Sequence, residues 1–293
     1  MLGKALKRKV SLLTDTGRKK RLRHDILSYY SQVPVLQLSS EETEAIDFLK
    51  RNRLHVFPYP FVNTYTGSEV NVLEDKALGL KFVIHEGKKL YFKRKWGVRK
   101  IKRNYSYLLL EQDLASPHRY LTKEFKVLPG DVVADAGAAE GNFALSIVEI
   151  ARKIYLFETD PEWVEALEAT FAPWKEKVEI INKFVSNRDD AEHQSLDSFF
   201  SEKETVNFIK ADVEGAEAQL LQGAAHLLSQ SSPPHVAITT YHQQQDAEDL
   251  SQLLLERGYR IEFSDGFMIF HHDKHLKAPY LRRGLIRASY QSN

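Results

Sequence analysis

The chain has 293 residues, 41 Lys+Arg against 40 Asp+Glu, 43% hydrophobic and 11% aromatic residues, and no cysteine. That length makes one large domain or a core with a substantial extension, and the near-average composition argues against wholesale disorder or a fibrous repeat. Without cysteine there can be no disulfide, thiolate zinc site, iron–sulfur cluster or cysteine nucleophile, which leaves oxygen and nitrogen chemistry.

The balanced net charge hides an uneven distribution. Residues 1–23 carry nine basic side chains against Asp15, and residues 81–103 carry ten against Glu86. Such segregation attracts an anionic partner or forms a solvated face. The basic start is not followed by the apolar run of a signal peptide, and no stretch approaches the ~20 apolar residues of a membrane span. A cytoplasmic location is expected, with peripheral contact at an anionic inner membrane face as an option.

Along the chain, Leu2, Leu6, Val10 and Leu13 recur at helical spacing, so residues 1–32 read as an amphipathic helix or a loose arm. Residues 40–52 read as a helix capped by Ser40. Lys81 to Lys93 reads as a β-hairpin turning at Glu86-Gly87-Lys88-Lys89, followed by a polar and aromatic connector, Asn104 to Tyr120. From Asp131, apolar runs alternate with helical patterns. Strands are expected at 132–136, 154–158, 178–182, 207–211, 235–240, 259–263 and 267–271, and helices at 142–151, 161–174, 215–229 and 247–257. The alternation predicts an α/β fold, a doubly wound, mostly parallel sheet with helices on both faces. The short link Ser264-Asp265-Gly266 predicts a final antiparallel strand over 267–271. The domain reading is an N-terminal α+β extension (1–114), a core (115–273) and a basic tail (274–293).

The chemistry concentrates at strand ends in the core. Val132 to Ala136 runs into Gly137-Ala138-Ala139-Glu140-Gly141 and then a helix, the context in which backbone N–H groups meet a ligand. A dinucleotide site would want G-x-G-x-x-G, yet Ala139 stands where the middle glycine would be. Asp135 and Glu140 place carboxylates where a pyrophosphate would bind, an environment better suited to the cationic groups of S-adenosylmethionine (SAM). Glu158 follows Gly137 by 21 residues, the position from which a carboxylate holds a ribose diol. Asp160, before Pro161, reads as a helix cap.

Asp212 ends the strand expected beside the first, and Glu214 and Glu217 follow in the first turn of a helix, where their charge suits the dipole. Three acids in six residues exceed what capping needs. His242, at the end of the 235–240 strand, would face the same crevice with a reference pKa near ~6.5, suited to a general base. His118, Arg119 and Tyr120 lie just before the core and are placed to reach cofactor or acceptor. The His271-His272-Asp273/His275 cluster lacks a full metal ligand set, and no metal ligand is assigned, with a divalent cation on Asp212 as the alternative that chelation would reveal.

Together, Asp135-x-Gly137-x-x-x-Gly141, Glu158, the run Lys210 to Glu217 and Tyr241-His242 resemble the FkbM family of SAM-dependent methyltransferases over about residues 115–273. The resemblance implies a class I methyltransferase (Rossmann-like) fold, SAM as cofactor, and O-methylation of a sugar, glycan or secondary metabolite. Carried over by position, Asp135, Gly137, Ala138 and Gly141 belong to the cofactor turn, Glu158 holds the ribose, and Asp212 lies near the transferred methyl. His242, Asp212 and Glu214 are the catalytic candidates. Members often carry Asn at Ala139 and Ile at Ala211, so Ala139 offers backbone only. A small-molecule or glycan acceptor is the expected partner. A nucleic-acid methyltransferase, which would explain the basic clusters, and a non-catalytic SAM-fold module are the competing readings. An NAD-dependent oxidoreductase ranks last.

Overall fold

The computed structural model describes residues 2–290, with side chains described from residue 16 onward. Helix α1 spans Leu2–Tyr30; the side chains of Leu2, Leu6, Val10 and Leu13 lie outside the described residues. Its end packs Ile26 and Tyr30 against Ala45, Ile46 and Leu49 of helix α2, Ser40–Arg51. The cap of α2 is Ser39, one residue before the expected Ser40. Its side chain accepts from the Glu42 N–H, and the Glu42 carboxylate accepts from the Ser39 N–H, a reciprocal arrangement that satisfies two otherwise orphaned donors.

Strands β1 (Leu73–Asp75), β2 (Leu80–His85) and β3 (Lys88–Tyr91) form a small antiparallel sheet. The β2–β3 turn lies at Glu86-Gly87, both at positive φ (49° and 79°), the left-handed backbone that a tight hairpin turn requires. Helix α3, Val98–Glu111, replaces the expected connector. Its polar face is crowded with Lys and Arg, yet Ile101, Tyr105 and Leu108 are buried at i, i+4 and i+7, the stripe that makes it a packed helix.

The core sheet takes β4 (Val132–Ala136), β5 (Lys153–Phe157), β6 (Val178–Ile181), β9 (Phe208–Ala211), β10 (His235–Thr239), β11 (Tyr259–Phe263) and β12 (Leu285–Tyr290). A short parallel pair, β7 (Phe184–Val185) and β8 (His193–Gln194), sits beside it. Helices α4 (Asn142–Ile147), α5 (Pro161–Phe171), α6 (Leu196–Phe200), α7 (Glu217–Gln222) and α8 (Asp246–Leu255) connect the strands. The order is β11-β12-β10-β9-β4-β5-β6, with β12 antiparallel to both its neighbours.

The antiparallel strand was expected at 267–271; that segment is instead a loop with one bridge, Met268 to Arg282. The strand comes from Leu285–Tyr290, within the stretch read as a basic tail. Its Arg287 is buried because the guanidinium donates to the carbonyls of Arg119 and Tyr120, which consumes the charge that made the segment look solvated.

Alternate residues of each strand serve two cores. Val133 and Ile154 face α4, α5 and the N-terminal hairpin, where Phe143, Leu167 and Leu90 are buried. Val132, Ala134 and Ile209 face α7 and α8, with Leu220 and Leu250. Each such side chain contributes about 1.5–3 kcal/mol. The strand order reverses between β4 and β9, which opens a crevice at their carboxyl ends.

Candidate functional site: a cofactor cleft and an adjoining chamber

A cleft of about 550 Å³ opens at this reversal, walled by Gly137, Ala139, Glu158, Asp212 and Glu214, within the size range of cofactor pockets. Gly137 (φ 75°) approaches the β9 end so closely that a Cβ would lie 1.9 Å from the Asp212 carbonyl oxygen; only glycine lets the two strand ends converge. Glu158 stands at the opposite wall. Its Oε1 accepts from the N–H groups of Thr159 and Asp160, and its Oε2 from that of Ala139. The clamp fixes the carboxylate while leaving acceptor capacity for a diol. Asp160 caps α5 by accepting from the Glu162 N–H.

Two of the acids expected to shape the cleft do not face it. Asp135 is fully buried beneath it, 3.0 Å from Lys210. Glu140 turns away to accept from the Asn104 amide of α3, and burial pushes its pKa up to about 7. Neither belongs to the wall; the negative groups there are Glu158, Asp212 and Glu214. Ala138 is buried behind the turn, its N–H donating to the Phe157 carbonyl. Gly141, at the N-cap of α4, faces Leu167 and Phe171. The pattern missed Phe184, Val185, Asn187 and Gln219, which also line the cleft, as do Lys183, Arg188 and His193. The ring of Phe184 is half exposed, a flat apolar surface against which an adenine could stack; an aromatic residue just after an edge strand was its only trace in the sequence.

At the inner end, Asp212 is held from several sides. Tyr120 donates to Oδ2 at 2.8 Å, His118 Nε2 lies 3.4 Å from the same oxygen, and the Thr239 hydroxyl lies 3.4 Å from Oδ1. Burial alone would raise this carboxyl, but the hydrogen bond and charge of His118, with Lys210 and His242, outweigh it and hold the group well below the usual carboxylate range. His118 and Tyr120 thus act on Asp212, whereas Arg119 is spent on the carbonyls of Leu121 and Gln112.

His242 reaches the same point from β10. Its Nδ1 lies 2.9 Å from Oε1 of Glu217, an oxygen that also accepts from Thr239 and the Val213 N–H. With Nδ1–H donating to Glu217, Nε2 faces Asp212 Oδ1 at 3.6 Å and Glu214 Oε2 at 3.8 Å. Burial lowers the ring's pKa, yet Glu217, Asp212 and Glu214 together bring it above the ordinary histidine value. Glu217, assigned from sequence to the helix dipole, is buried and orients His242.

Beyond His242 lies a second chamber of about 380 Å³, bounded by Leu54, His55, Tyr107, Glu111, Tyr241 and Phe270 and sharing Glu214 with the cleft. Glu111, at the end of α3, is another residue the motifs did not indicate; burial lifts its pKa to about 7. Glu214 sits at the junction in the left-handed region (φ 54°), strain of the kind that accumulates at functional loops.

The sheet order, the antiparallel strand beside the edge and the glycine-turn cleft at the β4/β9 reversal define a class I methyltransferase fold. Residues 137–261 match the methyltransferase FkbM domain. The matched model is that of a methyltransferase domain, whose cofactor is SAM. No curated protein matches the chain. Among solved structures, an FkbM methyltransferase from Methylobacillus flagellatus KT is similar at 17% identity and TM-score 0.43, over 65% of this chain and 60% of that one. A precorrin-6y C5,15-methyltransferase from Geobacter metallireducens GS-15 is similar at 10% and 0.40, over 57% and 84%. A tRNA m1G37 methyltransferase from M. jannaschii is similar at 14% and 0.42, over 73% and 55%. Likeness at this level says nothing about the acceptor.

The cleft's chemistry suits SAM. A clamped carboxylate with spare acceptor capacity, an exposed aromatic face and acids at the inner end line the one cleft.

Proposed function

We propose that the chain methylates a hydroxyl of a sugar, glycan or related small molecule, with His242 accepting the hydroxyl proton. The observation that carries this reading is the position of His242: its buried ring lies between the cofactor cleft and the second chamber, with Glu217 on Nδ1.

When bound, SAM supplies an electrophilic methyl group whose bond to sulfur breaks as the acceptor oxygen attacks, the electron pair remaining on sulfur. The residues' share is alignment and proton removal. Holding reacting atoms at ~3–3.5 Å can supply several kcal/mol of barrier lowering. Glu217 fixes the tautomer of His242 so that the Nε2 lone pair points toward the junction, and Nε2 takes the proton as the new carbon–oxygen bond forms. Asp212, whose carboxyl is held ionised, is too weak a base for that task and serves by charge and position. Glu214, at the shared wall, is placed to orient the acceptor.

His242→Gln should lower turnover by roughly a hundredfold or more while leaving the affinity for S-adenosylhomocysteine, measured by calorimetry, nearly intact. Assays on glycan, RNA and DNA pools supply the acceptor test. Methylation of RNA alone, or unchanged turnover in the variant, would overturn the reading.

A further inference from the structure

Within the basic cluster at 81–103, two groups of side chains differ. Lys88, Lys89, Lys93, Arg94 and Lys95 are paired with Glu149, Asp75, Asp160, Glu165 and Glu162, so their charge is neutralised within the fold. Arg99, Lys102 and Arg103 are different. They stand at i, i+3 and i+4 on one face of α3 and line a groove of about 630 Å³ with Thr66, Ser68 and Ser106, and no carboxylate is among the described residues of its wall. They occupy the first turns of α3, which carry no acidic residue, so the positive end of the helix dipole adds to theirs.

The groove continues into the chamber, since His55 and Tyr107 belong to both. At the chamber end the wall carries Glu111 and Glu214 together with Lys19 and His242. From Arg103 to Glu111 the helix rises about 12 Å.

Resting on the methyl-transfer reading, we infer that the acceptor is bipolar: a phosphate group docks on Arg99, Lys102 and Arg103, and a neutral hydroxyl reaches His242 through the adjoining chamber. Three cations with neighbouring hydroxyl donors match the charge and oxygen count of a phosphate ester better than a single carboxylate. A nucleic acid would need a basic track longer than one phosphate, and five of the neighbouring cations are paired with carboxylates.

The test is binding of glucose 1-phosphate and, separately, of phosphatidylglycerol vesicles to the full chain, with a short RNA as a third probe. The groove variant is Arg99→Ala/Lys102→Ala/Arg103→Ala; the charge-matched control is Lys123→Ala/Lys126→Ala/Lys175→Ala, at positions exposed elsewhere. Expected is binding of the sugar phosphate or the vesicle that weakens roughly tenfold or more in the groove variant and little in the control; which probe responds tells free from lipid-borne phosphate. Arg103→Gln alone should give a smaller loss in the same direction. Equal loss in the control, no response to either phosphate probe, or binding of RNA alone would overturn the inference. S-adenosylhomocysteine titration of every variant checks folding. Failure of the wild-type chain to bind it would strike the methyl-transfer reading, whereas its binding without a phosphate response strikes the groove alone.

Discussion

Lys210 and Asp135 face each other in register on adjacent parallel strands, their charges 3.0 Å apart and sealed from solvent. The Lys210 ammonium also donates to the Gly137 carbonyl at 2.6 Å, so a buried ion pair props the first residue of the cofactor turn. Burial pushes the Asp135 carboxyl up despite Lys210. Burial works against the charged Lys210 as well, but Asp135 and Asp212 outweigh it and keep its pKa above the ordinary lysine value.

Lys210→Met should therefore destabilise the chain by about 3–5 kcal/mol, because Asp135 is left as an uncompensated buried charge. Asp135→Leu/Lys210→Met should recover most of that loss in urea unfolding, while S-adenosylhomocysteine affinity stays reduced because the Gly137 carbonyl has lost its donor. A double variant as unstable as the sum of the singles would refute the pairing.

The pH profile of turnover should carry the signature of His242. Its pKa lies above the ordinary histidine value, so the basic form fills only as pH rises through that value, and the rate climbs through neutrality to an alkaline plateau. Glu217→Gln removes the largest raising influence. Burial then acts with less opposition, and the rising limb should move to lower pH with a plateau lower by roughly tenfold or more. A limb that stays in place would separate Glu217 from the proton transfer.

Glu140 makes a stability prediction. Burial raises its folded pKa to about 7 from an ordinary 4.5, so between these values the folded state holds more protons than the unfolded one. Its contribution is fully present below about pH 4.5 and is lost as pH rises through 7, a difference of up to about 3 kcal/mol. Glu140→Gln keeps an acceptor for the Asn104 amide and adds a donor for Asn104 Oδ1, which is buried without a partner. The variant should be more stable than wild type at pH 8 and similar at pH 4.5 by thermal unfolding. Glu111, also raised to about 7, retains part of the slope.

Gly137→Ala should abolish cofactor binding more than it unfolds the chain. The added methyl meets the Asp212 carbonyl in a backbone region costing a non-glycine residue roughly 1–2 kcal/mol, and relief requires the β4 and β9 ends to separate. Calorimetry with S-adenosylhomocysteine should show little or no heat, with the unfolding midpoint only moderately lowered.

Much of the cleft was legible because its signals are local. A strand, a small-residue turn, Glu158 at fixed separation and Asp212 at a strand end can each be read within a short window, and the fold brings them to one cleft. The second chamber was not, because it is assembled from distant segments. Helix α3 was hidden by its basic face, and its Glu111 points into a chamber whose other walls come from 54–56 and 268–272. The last strand was missed because its buried Arg287 breaks the apolar pattern, and the carbonyls that satisfy it lie 167 and 168 residues away. For Glu217, position in a first helical turn sufficed as an explanation until the fold brought His242 to it.

Helix α2 grips the loop that walls the chamber: Glu41 accepts from the Gly266 N–H and the Arg283 guanidinium, and the Tyr59 hydroxyl accepts from the Phe267 N–H. What grasps the methyl donor and what shapes the opposite room are thus encoded in largely separate portions of the polypeptide. Exchanging the leading third for that of a related enzyme, together with the loop it clasps, would redirect the chemistry toward a new recipient without rebuilding the donor's seat.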